Sequence, residues 1–221
     1  MDRMNGLDRF ARSQRRWLGG LDMLDRPWYV LGGAPQPTLY PELARSYARV
    51  DINNSGLTAD RLGLGPADLT IRRAKVNWTV HPTLSTHGLI WFTRTPASLL
   101  RLRLATKHRR VTAGSVMRIA KPDRFKVVAA VIGAEVRSVG SHGYPSNGIV
   151  AACYGLYFGV PEIVLTGVSL ARQGHSYDTL NRPRRQVEED TFALARLAGN
   201  ARVATTEPEL ADATGMRLWT P

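Results

Sequence analysis

The sequence predicts an α/β fold, a single domain with a mostly parallel sheet flanked by helices, and three observations carry that prediction. Apolar runs of strand length alternate along the chain with segments of helical length, and parallel neighbours in a sheet need such crossovers. The 221 residues, 43% of them hydrophobic, suffice for one core of that size. Glycine-rich or polar turns follow directly on the apolar runs, where an open parallel sheet gathers its ligand-binding loops.

Residues 1–27 read as an N-terminal amphipathic helix and its lead-in, and residues 28–221 as the sheet-bearing domain. In GLDRFARSQRRWL, residues 6–18, Leu7, Phe10, Trp17 and Leu18 gather near one face, with Arg9, Arg12, Arg15 and Arg16 around it. A helix of this kind packs on its own domain or lies on a membrane. Trp28 to Leu31 is a buried first strand; Gly32-Gly33-Ala34-Pro35 then turns sharply, and Pro37 and Pro41 shape the entry to a helix. A second strand runs from Ala48 to Asn54, ADLTIRR (67–73) is a third and GLIWFT (88–93) a fourth. KVVAAVIGAEV (126–136) fits either a strand or a buried helix. Asn147 to Phe158 is a helix, Glu162 to Leu165 a strand, EEDTFALARLAG (188–199) a helix stopped by Gly199, and ARVATT (201–206) a further strand.

Composition narrows the chemistry. The formal charge is +12, and only Lys75, Lys107, Lys121 and Lys126 among the 30 basic residues are lysines. Planar, weakly hydrated guanidinium groups suit phosphorylated substrates, nucleic acid or an anionic membrane; coding bias is an alternative source of the arginine preference, though not of the net charge. Ten of the basic residues lie between Arg94 and Lys126, with Asp123 the sole acid of that span. Interleaved Trp78, Trp91 and Phe92 offer base-stacking surfaces, but no nucleic-acid motif accompanies them and nucleic acid is not the expected partner. Cys153 is the only cysteine, which removes an internal disulfide and any thiolate cluster and points to a reducing compartment. The first thirty residues lack the apolar centre of a secretory signal, so the chain is expected to be cytoplasmic, with peripheral contact on the inner face of an anionic membrane left open.

The turns at strand ends supply the candidate site. Gly32, Gly33 and Ala34 allow backbone to approach a phosphate or sugar; Asn53 and Asn54 either read a nucleobase or ribose or simply turn the chain. Ser146, Asn147 and Gly148 open a helix whose free amides favour an anion, Ser146 being also a plain N-cap candidate. Gly167 and Ser169 follow a later strand. For proton transfer the chain offers His81, His87, His108, His142 and His175; His175, beside Tyr177 directly after a strand end, is the first candidate and His142 the second. No paired carboxylates, H-x-x-x-H or D-x-D spacing supports a required metal, and no G-x-S-x-G elbow is present.

YPSNGIVAACYGLYFGVPEIVLTGVSL, residues 144–170, resembles the segment of sialyltransferases in which P-S/T-S/T-G precedes an apolar helix and a D/E-I/V-x-L/V-x-G strand. VLGGAPQP resembles that family's first-strand turn, VDINNSG its R-x-N strand end, and RQGHSYD its tyrosine-bearing loop. The resemblance implies a Rossmann-like domain that binds CMP-sialic acid without a metal or other cofactor and transfers the sugar with inversion to a hydroxyl of a glycan acceptor, on a cell surface or lipopolysaccharide-type glycan. It implies cytidine-nucleotide contacts by Gly32, Gly33 and Asn53, phosphate or ribose contacts by Ser146, Asn147 and Gly148, and a hydrogen bond from Tyr177 to the departing phosphate. Three departures accompany it. Gly33 stands where the family carries asparagine, Ala171 replaces one of two phosphate-binding tyrosines, and arginine (Arg184 or Arg185) occupies the place of the general-base histidine, so that either His175 substitutes for it, or the donor differs, or transfer activity is lost. Arg182, Arg184 and Arg185 offer a clamp for a phosphorylated donor or acceptor. A non-catalytic protein gripping phosphates through residues 94–126 and a diphosphokinase-like enzyme are the alternatives.

Overall fold

The structure, a computed structural model, describes residues 6–221. Eight strands form one sheet: β1 (Trp28–Leu31), β2 (Ala48–Ile52), β3 (Ala67–Arg73), β4 (Ser85–Phe92), β5 (Thr112–Ile119), β6 (Ile163–Thr166), β7 (Val203–Thr205) and β8 (Arg217–Leu218). Their order is β5-β4-β3-β2-β1-β6-β7-β8, and every pairing is parallel. The chain builds outward from β1 to β5, then returns to β1's other side and continues to β8. The reversal between β1 and β6 is a topological switch point, where flanking loops diverge and leave a crevice.

Helices cover both faces. The larger core joins Trp28, Val30, Leu69, Ile71 and Ile90 to α1 (Gly6–Gly19), α5 (Lys121–Ile132), α6 (Asn147–Phe158) and α7 (Val187–Leu197). On the opposite face α2 (Pro41–Ser46) covers Tyr29 and Val164 through Leu43, while α4 (Ala97–Lys107) covers Leu89 and Trp91 through Leu100 and Leu104. Short α3 (Gly56–Arg61) joins β2 to β3, and α8 (Pro208–Thr214) joins β7 to β8. α6 is buried along nearly its whole length, as a helix apolar all round must be. It lies so near the sheet that a Cβ on Gly155 would stand 2.8 Å from Ile163 and 2.9 Å from Trp28. Cys153 on the same helix is buried, and burial pushes its thiol up to about 12.

Several sequence expectations shift. The undecided segment 126–136 lies largely within α5, which ends where Gly133 adopts φ 67° and closes the helix as a left-handed residue. The basic span hides α4 and all of β5, because exposed arginines on the outer helix, and glycine, serine and Arg118 on the edge strand, blur both periodicities. Strand β4 starts three residues before GLIWFT, and β2 ends at Ile52 because Asn53 turns left-handed at φ 59°. Three of the four residues on the apolar face of α1 are engaged by the fold rather than available to a membrane: Leu18 is fully buried, Phe10 packs on Phe158, and the Trp17 indole donates to Ser115 Oγ at 2.6 Å, while the Leu7 side chain lies outside the described ones.

Candidate active site

At the switch point the ends of β1 and β6 nearly touch. The Gly32 amide donates to Thr166 O (2.7 Å) and the Ala34 amide to Gly167 O (2.8 Å). A Cβ on Gly32 would lie 2.3 Å from Gly167 O, and Gly167 itself holds φ 61°; only paired glycines permit this approach. Above it opens a cleft of about 520 Å³, bounded by the turn at 32–34, the ends of β2 and β3, the start of α6 and the loop from Arg172 to Gln186.

The β2 wall is an asparagine network. Asn53 Oδ1 accepts from Asn147 Nδ2 (3.0 Å) and from the Arg73 amide (3.2 Å), tying β2 to the first residue of α6. Behind it Arg72 is fully buried, donates to Asn53 O (2.9 Å), Asn54 Oδ1 (2.6 Å) and Asn77 O (3.0 Å), and lies 3.9 Å from the centroid of the Trp78 ring. Among the described residues no carboxylate pairs with it. Burial lowers the Arg72 guanidinium to about 10, still charged at neutral pH. Arg73 and Lys75 continue the wall as exposed cations facing the cleft.

Ser146 occupies the N-cap position of α6, but its hydroxyl makes no capping bond. Its amide donates instead to Asp190 Oδ1 at 2.6 Å, and Arg184 Nη2 donates to Asp190 Oδ2 at 2.5 Å. Asp190 is fully buried; burial raises its carboxyl pKa, against the pull of Arg184 and the Ser146 amide. The first-turn amides that follow Ser146 have no intrahelical acceptors, so they and the helix dipole favour an anion at this end of the cleft.

The fourth wall is the loop carrying the candidate acid–base pair. His175 and Tyr177 stack with centroids 4.8 Å apart and rings 8° from parallel. His175 Nδ1 lies 3.3 Å from Gly33 O, a carbonyl that also accepts from the Ser176 amide at 3.0 Å. A carbonyl can only accept, so this contact places a ring proton on Nδ1; in the neutral ring Nε2 is then the acceptor. Burial pushes the Tyr177 phenol up to about 12, helped by Asp178 and opposed by Arg182 and Arg72, so Tyr177 remains a donor at neutral pH. The pair also explains the unexpected glycine in the turn: a Cβ on Gly33 would stand 2.8 Å from Tyr177 Cε1 and 3.3 Å from His175 Nδ1. The rings fill the space a side chain at position 33 would need.

The fold thus gathers Gly32, Gly33, Ala34, Asn53, Asn54, Ser146, Asn147, Gly148, Gly167, His175, Tyr177, Arg182, Arg184 and Arg185 around one cleft. Ser169 stays outside it: its buried hydroxyl donates to Glu209 (2.6 Å) and accepts the amides of Ala171 and Arg172. Arg184 is neutralised by Asp190 and Arg182 lies 3.7 Å from Asp178, whereas Arg185 has no acidic partner among the described residues. His142 does not line the cleft and contacts Ser141, and His81 binds Asp60 at 2.8 Å. His108 stacks on Trp78, and His87 lies exposed on β4. Trp78, Trp91 and Phe92 are buried in packing contacts and offer no stacking platform for bases. Sequence reasoning missed Arg73, Lys75 and Asp190; the doubled arginine closing ADLTIRR signalled the first, but nothing local marks Asp190, whose partners lie 6 and 44 residues away. Among the described residues no group of three or more His, Cys, Asp or Glu side chains is placed to hold a metal, and no helix is long and apolar enough to cross a membrane.

No protein-family description and no curated protein matches the sequence. Solved structures match the fold. The sialyltransferase CstII from Campylobacter jejuni in complex with the substrate analogue CMP-3FNeuAc superposes with a TM-score of 0.53 at 13% identity, over 89% of this chain and 86% of that one. CST-II in complex with a trisaccharide acceptor and CMP gives 0.53 at 14% identity over the same shares. The monofunctional α-2,3-sialyltransferase Cst-I from Campylobacter jejuni gives 0.52 at 12% identity, over 88% of this chain and 81% of that one. The chain has the fold of these sialyltransferases.

Proposed function

We propose that this protein is a glycosyltransferase that takes a CMP-linked sugar of the sialic acid type and transfers it to a glycan hydroxyl, with inversion and without a required metal. The observation that carries the reading is the His175–Tyr177 stack, fixed on the Gly33 carbonyl beside the start of α6. It is supported by the shared fold and by the CMP and trisaccharide complexes of the neighbours. The nucleotide lies along Gly32, Gly33, Ala34, Asn53 and Asn54, with its phosphate near Ser146, Asn147 and Gly148. Tyr177 donates to the phosphate oxygen as the anomeric C–O bond breaks, and Arg73, Lys75 and Arg185 meet the charge of released CMP. His175 Nε2 takes the acceptor proton as the acceptor oxygen bonds to the anomeric carbon. This assignment gives His175 the place of the family's base, where this chain has Arg184 or Arg185, the former bound to Asp190.

Calorimetry and thermal shift with CMP, CMP-sialic acid, UDP, GDP and ATP, with and without magnesium, test the reading. Selective binding of the cytidine ligands, unchanged by magnesium, is expected; preference for ATP with magnesium would replace it with a phosphotransferase. His175→Ala should abolish turnover and leave donor binding nearly intact, and unchanged turnover removes His175 from the mechanism.

A further inference from the structure

The outer face of α4 and the adjoining edge strand β5 do not belong to the cleft. They lie four strands from β1, about 19 Å across the sheet. The inner face of α4 is apolar, with Leu100 and Leu104 packed toward Trp91. Its outer face carries two exposed leucines: Leu99 is 53% and Leu102 58% exposed, one turn apart. Arg101, Arg103 and Lys107 share the helix with them, and Arg109 and Arg110 follow in the turn, all exposed. No acid occurs between Arg94 and Lys121. Beside the helix a shallow groove of about 280 Å³ has Arg101 and Arg109 at its rim and Leu104, Val111, Ala113 and Val116 along its floor.

We propose that this surface docks the protein on an anionic lipid bilayer, with Leu99 and Leu102 entering the acyl boundary, the groove accommodating the upper part of a lipid, and the arginines binding headgroup phosphates. Charge selects the occupant. A second copy seated on the same patch would set arginines against arginines. Nucleic acid would meet the cations but leave two protruding leucines against phosphates. An anionic bilayer satisfies both, apolar contact below and counter-charge at headgroup level. The contrast with α1 strengthens the assignment: that helix is more amphipathic in sequence, yet its Phe10, Trp17 and Leu18 pack into or against the core.

The test is co-sedimentation of the full chain with vesicles of phosphatidylcholine and of phosphatidylcholine mixed with phosphatidylglycerol, at low and raised salt. Binding only to the mixed vesicles, weakened by salt, is expected. Leu99→Ser with Leu102→Ser, and separately Arg101→Glu with Arg109→Glu, should each weaken it at least about tenfold while leaving the melting temperature unchanged. Equal binding to both vesicle types, or none, overturns the proposal without any variant. Duplex DNA binding lost with the arginine pair but untouched by the leucine pair would reassign the surface to nucleic acid. A dimer in sedimentation velocity that the leucine pair dissociates would reassign it to self-association.

Discussion

Replacing Gly33 with alanine tests the geometry of the candidate site directly. Gly33 is not among the residues with positive φ, so alanine is compatible with its backbone and by itself would stabilise by about 0.4–1 kcal/mol through the unfolded chain. The new Cβ, however, would sit 2.8 Å from Tyr177 Cε1 and 3.3 Å from His175 Nδ1. Carbon atoms settle at about 3.5–4.0 Å, so the stacked rings must retreat by roughly 0.7–1.2 Å, at an overpacking cost of about 1–3 kcal/mol. Gly33→Ala should therefore destabilise the wild type by about 0.5–2 kcal/mol, yet be neutral or slightly stabilising when Tyr177 is already alanine. A double-mutant cycle in urea, read as midpoint shifts at constant m-value, measures that coupling. Equal costs in the two backgrounds, or a more stable single variant, would refute the packing argument. The same displacement moves Tyr177 and His175 relative to the donor, and turnover, followed as CMP release from a CMP-linked sugar, should fall about a hundredfold.

Tyr177→Phe keeps the stacked ring but removes the hydroxyl; stability should change little while turnover falls about 10²–10³-fold, and an unchanged rate would remove Tyr177 from leaving-group stabilisation. Asp190→Ala strands Arg184 and the Ser146 amide and should cost about 3–5 kcal/mol in denaturant unfolding, less when Arg184 is also alanine. Asp51, buried and raised to about 6 despite Arg49 at 3.2 Å, gives a pH signature. Its folded pKa exceeds the unfolded value of 3.8, so the native state holds the extra proton and stability falls as pH rises between about 4 and 6. The unfolding free energy of wild type relative to Asp51→Asn should drop by about 3 kcal/mol across that window and stay level above it; a flat difference refutes the raised pKa.

The central half of the sheet was legible from sequence because buried parallel strands are written as unbroken apolar runs: WYVL needs no tertiary context to be read. β5 was not, since an edge strand with one half-exposed face carries arginine, serine and glycine between its apolar residues, and that alternation is diluted further by the basic residues before it. The cleft was legible at strand ends, where turn chemistry is local. What escaped was whatever depended on long-range pairing. Ser169 looked like a site residue from its position after β6, but Glu209, forty residues away, takes its hydroxyl. Arg184 looked like a free phosphate clamp until the fold set it against Asp190.

The burial of Cys153 has a use beyond packing. The thiol is solitary in the chain, sits midway along the helix whose first turn forms one end of the cleft, and is kept protonated and out of water. A thiol reagent can reach it only when that helix opens, so its labelling rate in the absence of denaturant reports the population of the opened form. Any molecule that seats itself at the helix start should slow the labelling in proportion to its occupancy. The native sequence therefore carries a built-in reporter of cleft occupancy, one that needs neither an assay of transfer nor an identified acceptor.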